Sequence, residues 1–406
     1  MLKAYLALTL FVLTLPLFSD SSYDGIKVGP FKIGGALRAN YVIGDYVLSS
    51  SAYSGADRGA KWGDVELDTV RINIDIEEGS YIGKFEYRWY NGYSFIHTAW
   101  LGYKFEKGNQ LEVGITRVPF GPGDYGISNS WFFDQHYYVG LSDDMDLGIK
   151  YTSSFGNLTL DFAYFYNGGT NGIGSSNQGA RYGYDIALWE SSIQNDGTIS
   201  ASDLNGWEEK HQLNFRAIYD FTHTKLGLSF LYGGLEGTQA NDATRLALSG
   251  HMQNFWNNFT LQTQLTWYDM DIDKQNLLNT DGLIPAGGFD FTWPIASKAW
   301  ISSISLNYKI QTPGLSWLDY MLPYIEYSSI IKKDGAQNNS DLFVLGSAWS
   351  RGNWYIYTDL AYSNGNLFVG DLGDDYTNVY KGVGDFGANG NDHWNYRLNL
   401  NIGYYF

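Results

Sequence analysis

Few residues in this chain are able to do chemistry, and their spacing excludes most of it. There is no cysteine, so a disulfide framework, a thiolate metal site and a cysteine nucleophile are ruled out. The six histidines, His97, His136, His211, His223, His251 and His393, form no H-x-x-x-H ligand pair. No nucleophile motif accompanies them. Gly382-Val383-Gly384-Asp385-Phe386-Gly387 matches G-x-G-x-x-G. A dinucleotide site needs a strand before that motif and a helix after it, and neither is readable there. Asp269-Met270-Asp271-Ile272-Asp273 begins like a calcium loop, yet Lys274 stands where the turn glycine belongs and no glutamate closes it. Together with Asp371, Asp374 and Asp375 it reads as solvated acid at a rim. No catalytic residue, cofactor or metal is expected. What remains is charge set at alternate positions between apolar residues: Arg38, Arg71, Lys84, Arg88, Arg216, Arg245 and Arg397, joined by Lys150 and by the acids Asp75, Glu86, Asp161 and Asp359. Such a pattern makes and breaks no bonds; it lines a wall past which ions and polar solutes move.

The elements that must hold these charges are strands. In Val70-Arg71-Ile72-Asn73-Ile74-Asp75-Ile76 every second residue is β-branched and apolar, and those between are polar or charged. Successive side chains on a strand point to opposite faces, so one face suits lipid and the other water. The segment at the end of the sequence repeats the pattern. Trp394, Tyr396, Leu398, Leu400, Ile402, Tyr404 and Phe406 share one face, and Asn395, Arg397, Asn399, Asn401 and Tyr405 the other. A charge facing lipid at mid-depth costs roughly 2–4 kcal/mol, which turns the basic set inward. Arg117 shares the parity of Leu111, Val113 and Ile115, and so belongs either at the rim or after a bulge.

About 16 such segments can be counted, near 31–43, 66–77, 80–90, 95–106, 109–118, 146–154, 157–167, 209–221, 224–233, 243–255, 258–269, 298–310, 318–330, 341–350, 353–363 and 393–406. Short turns follow the even segments, at Glu78-Gly79, Lys107-Gly108, Phe155-Gly156, Thr222-His223, Asn257-Asn258 and Arg351-Gly352. Glycine and asparagine are what tight hairpins need. Mostly longer links follow the odd ones, at 44–65, 119–145, 168–208, 270–297 and 364–392. Short turns on one rim and long loops on the other describe an outer-membrane barrel, with the short turns periplasmic. A soluble sandwich also alternates, and no repeat of fixed period points to a propeller or solenoid. The aromatic pairs near segment ends, Trp89-Tyr90 and Trp267-Tyr268 among them, fit interfacial belts and favour the membrane.

Composition agrees. Aromatic residues make 17% of the 406, glycines number 48 against 8 prolines, and charged residues stand at 17%, below the roughly 25% usual in soluble domains. Hydrophobic content of 44% with a mean hydropathy of −0.26 means apolar residues are interleaved rather than run together as a helical span requires. The net charge of −17 excludes nucleic acid as a partner, since phosphate contacts need a basic face. Residues 1–19 read as a secretory signal: Lys3 supplies the positive start, residues 6–18 the apolar core, and Ser19 a small residue near cleavage. Residues 20–406 are then one barrel.

The link at 119–145 is the third on the long-loop side. It carries Asp124, Asp134, Asp143, Asp144 and Asp146 at its end, and the aromatic run Trp131-Phe132-Phe133 with Tyr137-Tyr138. So apolar a loop needs something to pack against, and the inside of a barrel would serve. Folded inward, it narrows the lumen as a constriction, and its acids would face the basic wall and set a field across the opening.

At this point the chain resembles the Gram-negative porins with 16-stranded barrels. Gly114-Ile115-Thr116-Arg117-Val118-Pro119-Phe120-Gly121 is similar to the strand-to-loop junction of the phosphate-selective porin O and P group, and Tyr404-Tyr405-Phe406 resembles the aromatic signal read by the barrel-assembly machinery. The resemblance implies a homotrimer with an inward third loop, set in outer-membrane lipid and lipopolysaccharide, passing small hydrophilic solutes and ions by passive diffusion. It does not carry phosphate selectivity, which in that group rests on a dense ladder of Arg and Lys that this acidic chain lacks. Two other functions fit the same architecture. One is a substrate-specific channel, for oligosaccharides for example, with Tyr90, Trp100, Tyr268, Tyr324, Tyr355 and Tyr357 as a stacking track. The other is a plugged structural or adhesion barrel, against which the inward Gly34, Ala36, Gly102, Gly148 and Ser305 argue by leaving space.

Overall fold

The computed structural model describes residues 25–44, 46–47, 62–176, 178–193, 199–272, 282–333, 339–366, 368–371 and 394–406. The expected signal at 1–19 and the glycine motif at 382–387 lie outside them. The alternating segments form the sixteen strands of one closed antiparallel barrel. In chain order they are β1 Phe31–Gly44, β2 Asp64–Glu78, β3 Tyr81–Trp89, β4 Ser94–Lys104, β5 Gln110–Arg117, β6 Met145–Phe155, β7 Leu158–Asn167 and β8 Ile199–Asp220. They continue as β9 Thr224–Thr238, β10 Ala243–Trp256, β11 Phe259–Met270, β12 Lys298–Tyr308, β13 Tyr320–Lys332, β14 Ser340–Arg351, β15 Trp354–Asn364 and β16 Asn395–Tyr405. Each strand pairs with the next, and β16 returns to β1 from Ala36↔Tyr405 to Gly44↔Arg397. Closure leaves no edge, which a membrane demands because an unpaired strand edge has no water to bond.

The two faces separate as the alternation predicts. Outside stand Leu37, Leu101, Leu228, Leu265, Leu345 and Leu398, all well exposed, and they are suited to lipid. Inside stand Glu86, Gln262, Gln264, Ser305, Asn399 and Asn401, all buried. Tyr81, Tyr103, Phe105, Phe155, Tyr219 and Phe221 collect at the short-turn rim as an exposed aromatic girdle. No helix among the described residues is long and apolar enough to cross a membrane.

The tight turns explain themselves by backbone conformation. Gly79, Gly156 and Gly352 hold φ of +60°, +62° and +52° with nothing near the place a Cβ would occupy. Only glycine enters that region without steric cost. The turn after β12 departs from the pattern. Ile310–Gln311 continues the ladder to β13 through Ile310↔Met321, and the chain returns only at Tyr320. Thr312 still donates its N–H to the Asp319 carbonyl, and Pro313 after it has no N–H to offer, so the ladder stops without a two-residue turn.

Two further departures concern the long-loop side. β8 begins at Ile199 and β9 ends at Thr238, so this hairpin projects beyond the segments the alternation marks. Its outer part, paired from Gly206↔Thr238 onward, is joined to the rest by a bulge between Lys210 and Leu213. Above the bilayer nothing enforces a lipid face, and the pattern that reveals strands fades. A small three-stranded sheet, Asp185–Ile186 with Leu283–Gly288 and Phe291–Ala296, is built from the fourth and sixth long links. Every residue of Leu283–Gly288 is buried, so no alternation betrays it.

Candidate functional site

The third long link leaves β5 at Arg117, enters the lumen and returns to β6. Backbone and side chains of this link bond across several strands of the wall. The Gly121 N–H donates to Ser229 on β9 at 3.0 Å, and Gln262 on β11 donates to the Ile127 carbonyl at 2.8 Å. Ser128 Oγ and the Asn129 N–H both donate to Glu326 on β13 at 2.6 Å. The Trp131 N–H donates to Asp359 on β15 at 2.9 Å, and the Gln135 N–H to Ser328 at 3.1 Å. His136 Nε2 lies 2.8 Å from Thr266 Oγ1 on β11. Buried polar groups on a barrel wall must be satisfied, and here the link supplies the partners. Its apolar side chains Phe120, Phe132, Tyr138 and Leu141 are buried in one cluster with Ile186, Trp207 and Ile284 of the wall and the small sheet.

The link leaves a passage of about 820 Å³ beside it. On the wall side Arg38, Arg71 and Arg88 line this passage. Arg71 and Arg88 are direct register partners on β2 and β3, and they share one acid: Glu86 lies 2.6 Å from Arg88 Nε and 3.7 Å from Arg71 Nη1. Arg38 pairs with Asp68 at 2.9 Å, and Asn401 donates to the same carboxylate at 2.9 Å. On the facing side the link offers Tyr125, Ser128, Asn129, Trp131, Phe133 and Tyr137. Phe133 stacks on Tyr137 at 4.3 Å, and Tyr137 meets Tyr182 and Phe289. Tyr90 stacks on Tyr93 at 5.0 Å, and Tyr355 and Tyr357 sit edge to face at the same separation. Burial holds the Tyr137 and Tyr182 phenols well above their ordinary range, so both stay neutral.

The basic set divides by role. Arg38, Arg71 and Arg88 reach the passage. Arg397, drawn to the same wall by closure, is fully buried: it donates to Asn399 at 2.7 Å and lies 4.8 Å from the Trp131 ring. Lys84, register partner of Asp75 and Trp100, does not line the passage. Arg216 pairs with Asp161 at 2.8 Å and donates to the Gly121 carbonyl, and Arg245 pairs with Glu209 and donates to the Gly140 carbonyl. Those two fasten the link rather than face solutes.

None of the five acids of the link lines the passage opposite the basic wall, although Asp143 lies within electrostatic reach of Arg88, and the expected acid lining of the opening is corrected accordingly. Asp134 turns away from the passage, to His136 Nδ1 at 2.7 Å and the Ile127 N–H at 3.1 Å. Asp124 and Asp143 both pair with Arg117, at 3.2 and 2.9 Å; the Asp124 side chain is 71% exposed and that of Asp143 fully buried. Asp144 and Asp146 are buried in a cluster with Asp185. The physical reason is that a loop packed against a wall buries its polar groups where the wall can bond them. The link therefore faces the passage with hydroxyls, amides and rings. Arg117 occupies the rim: β5 keeps its register with β4 and β6, and the last residue of the strand reaches over to the link.

Two residues of the site defy strand parity. Asp68 and His97 are the extra residues of bulges on β2 and β4, and both point inward, to Arg38 and to Glu86. Of the expected aromatic track, Tyr90, Tyr355 and Tyr357 line the passage. Tyr268 instead donates to the Ala296 carbonyl and Tyr324 to Asp359, both buried, and Trp100 does not line it.

No family model and no curated protein sequence matches the chain. Solved structures do match in fold. The in-vitro folded trimer form of OmpT, an outer membrane protein of Vibrio cholerae, has a TM-score of 0.57 at 13% identity over 94% of this chain and 100% of its own. Salmonella typhi OmpF in complex with daunomycin gives 0.57 and 13% over 93% and 97%. The outer membrane channel DcaP of Acinetobacter baumannii gives 0.57 and 13% over 94% and 100%. The fold is that of the outer-membrane porins.

Proposed function

We propose that this protein is an outer-membrane channel, set in lipid and lipopolysaccharide, through which small hydrophilic solutes and ions diffuse passively. One observation carries the reading: a loop bonded to the wall of a closed barrel narrows the lumen but leaves beside it an open space of about 820 Å³, lined by arginines on one side and by rings and hydroxyls on the other. Charged walls of this kind tune ion preference while the opening sets size. Among the described residues none with catalytic spacing lines it, and the reading assigns no reaction. The trimer form of the OmpT match supports a homotrimer here. The junction at Gly114–Gly121 adds no phosphate selectivity to this reading.

The contiguous rings at the passage favour a second reading, a substrate-specific channel in which flat solutes such as oligosaccharides slide along Tyr90, Trp131, Phe133 and Tyr137. Aromatic faces stack on apolar ring faces while neighbouring charges bond hydroxyls. Refolded protein in a planar bilayer separates the two. Open steps that oligosaccharides leave unchanged establish the general channel, and steps that oligosaccharides block at millimolar concentration establish the specific one. Absence of conductance from folded protein overturns both and leaves a plugged structural barrel.

A further inference from the structure

We propose that Asp144, Asp146 and Asp185, flanked by Glu209, form a site for a hard divalent cation of the calcium class that ties the inward link to the barrel wall. One carboxylate oxygen from each of Asp144, Asp146 and Asp185 lies within 4.8 Å of the others. The four acids come from three stretches of the chain: the link as it runs into β6, which supplies Asp144 and Asp146, the small sheet and β8. All are almost fully buried.

Acid clusters alone are common, but here the surroundings point to a missing cation. Both carboxylate oxygens of Asp144 lack any hydrogen-bond partner, as do Asp146 Oδ1, Asp185 Oδ1 and Glu209 Oε2. Gln212, 2% exposed, donates its amide nitrogen to Asp146 at 3.2 Å and to Asn214 at 2.9 Å, while its carbonyl Oε1 meets no donor. These are all oxygen donors, the type calcium gathers about six to eight of. The charge also fails to balance. Arg181 pairs with Asp185 at 2.9 Å and Arg245 with Glu209, so two cations face four acids, and a divalent ion supplies the difference. Room is kept by glycine: a Cβ at Gly169 would stand 2.7 Å from Asp185 Oδ2. An irregular oxygen set drawn from three stretches of the chain suits calcium, which accepts flexible geometry, better than magnesium, which demands an octahedron and holds its water.

The carboxylates must be deprotonated to hold a cation, so binding should release protons and matter more as pH rises.

The test is terbium luminescence, with Tyr184 next to Asp185 as the sensitiser, on EDTA-treated, refolded full-length protein. Saturable emission displaced by calcium, with proton release and a rise in thermal midpoint, is expected. The Asp144→Asn/Asp185→Asn variant should lose the emission, and Gln212→Leu should weaken calcium by roughly tenfold or more, the loss of the amide that orients Asp146. No saturable emission and no thermal shift in the unaltered protein up to about 5 mM calcium, beyond the weakest range of built sites, overturns the proposal and leaves the acids sharing protons. Emission that survives in the folded double variant overturns it equally. Should that variant not fold, the titration of the unaltered protein and Gln212→Leu still decide.

Discussion

Glu86 is the residue on which the passage-facing arginines depend. Two guanidinium groups and His97 converge on its carboxylate, and it is buried. Removing one partner of a buried ion pair leaves uncompensated charge and costs about 3–5 kcal/mol. Glu86→Gln should therefore destabilise the barrel by that order, read by urea unfolding in vesicles; a change under about 1 kcal/mol, the value of an exposed pair, would place the arginines in open water. Asp134 gives a pH prediction. Burial works against its charge, but the His136 imidazole and the Ile127 and His136 N–H groups outweigh it and hold its carboxyl below the ordinary 3.8. The stabilisation it gives is present above that ordinary value and is lost as pH falls through the lower, folded one. Channel current should stay quiet down to about pH 4 and flicker below it, while Asp134→Asn should flicker at neutral pH; quiet current from both would detach Asp134 from loop order. Most charged residues of the site were legible because alternation forces charge inward. Asp68 and His97 were not, since a bulge reverses parity. One trace was present: Leu67 and Val70, both on the lipid side of β2, stand three apart, a spacing that regular alternation forbids.

The strands as elements obey a single rule, lipid outside and water inside, and the rule is testable by depth. Leu265, midway along β11 and half exposed to the outside, is placed where an arginine costs most. Leu265→Arg should destabilise by roughly 2–4 kcal/mol and Tyr219→Arg, near the turn at the end of β8, by about 0–1 kcal/mol. Equal costs in vesicle unfolding would mean that the faces are assigned wrongly. The same rule explains what could be read from the sequence. All sixteen strands were visible because the bilayer imposes a period of two over their whole crossing. The outer half of the β8–β9 hairpin and the sheet formed by Asp185–Ile186, Leu283–Gly288 and Phe291–Ala296 lie beyond that constraint. They follow tertiary packing, which leaves no periodic mark.

At the scale of the whole molecule, the closed barrel followed from strand count and from the alternation of short and long connections. The docking of the third link could not be read so well. Its aromatic content said that it must pack, but not which way its acids would turn. That depended on Glu326, Asp359 and Thr266, which lie far along the chain. The distance has a consequence in time. The Asn129 N–H waits for Glu326, 197 residues later, and the Trp131 N–H for Asp359, 228 residues later. Contacts of such long range form only after the chain between them is placed. The link therefore docks only once β13 and β15 stand in the wall, late in assembly, and among the barrel's strand pairings only the closing pairs of β16 with β1, such as Ala36↔Tyr405, span a longer stretch of chain. Trp131 emission should lag behind protection of the strands from protease during refolding, and simultaneous change would contradict this order. Until the lag ends, the nascent barrel is a leak wider than the finished one, and a cell that makes it gains by finishing closure quickly.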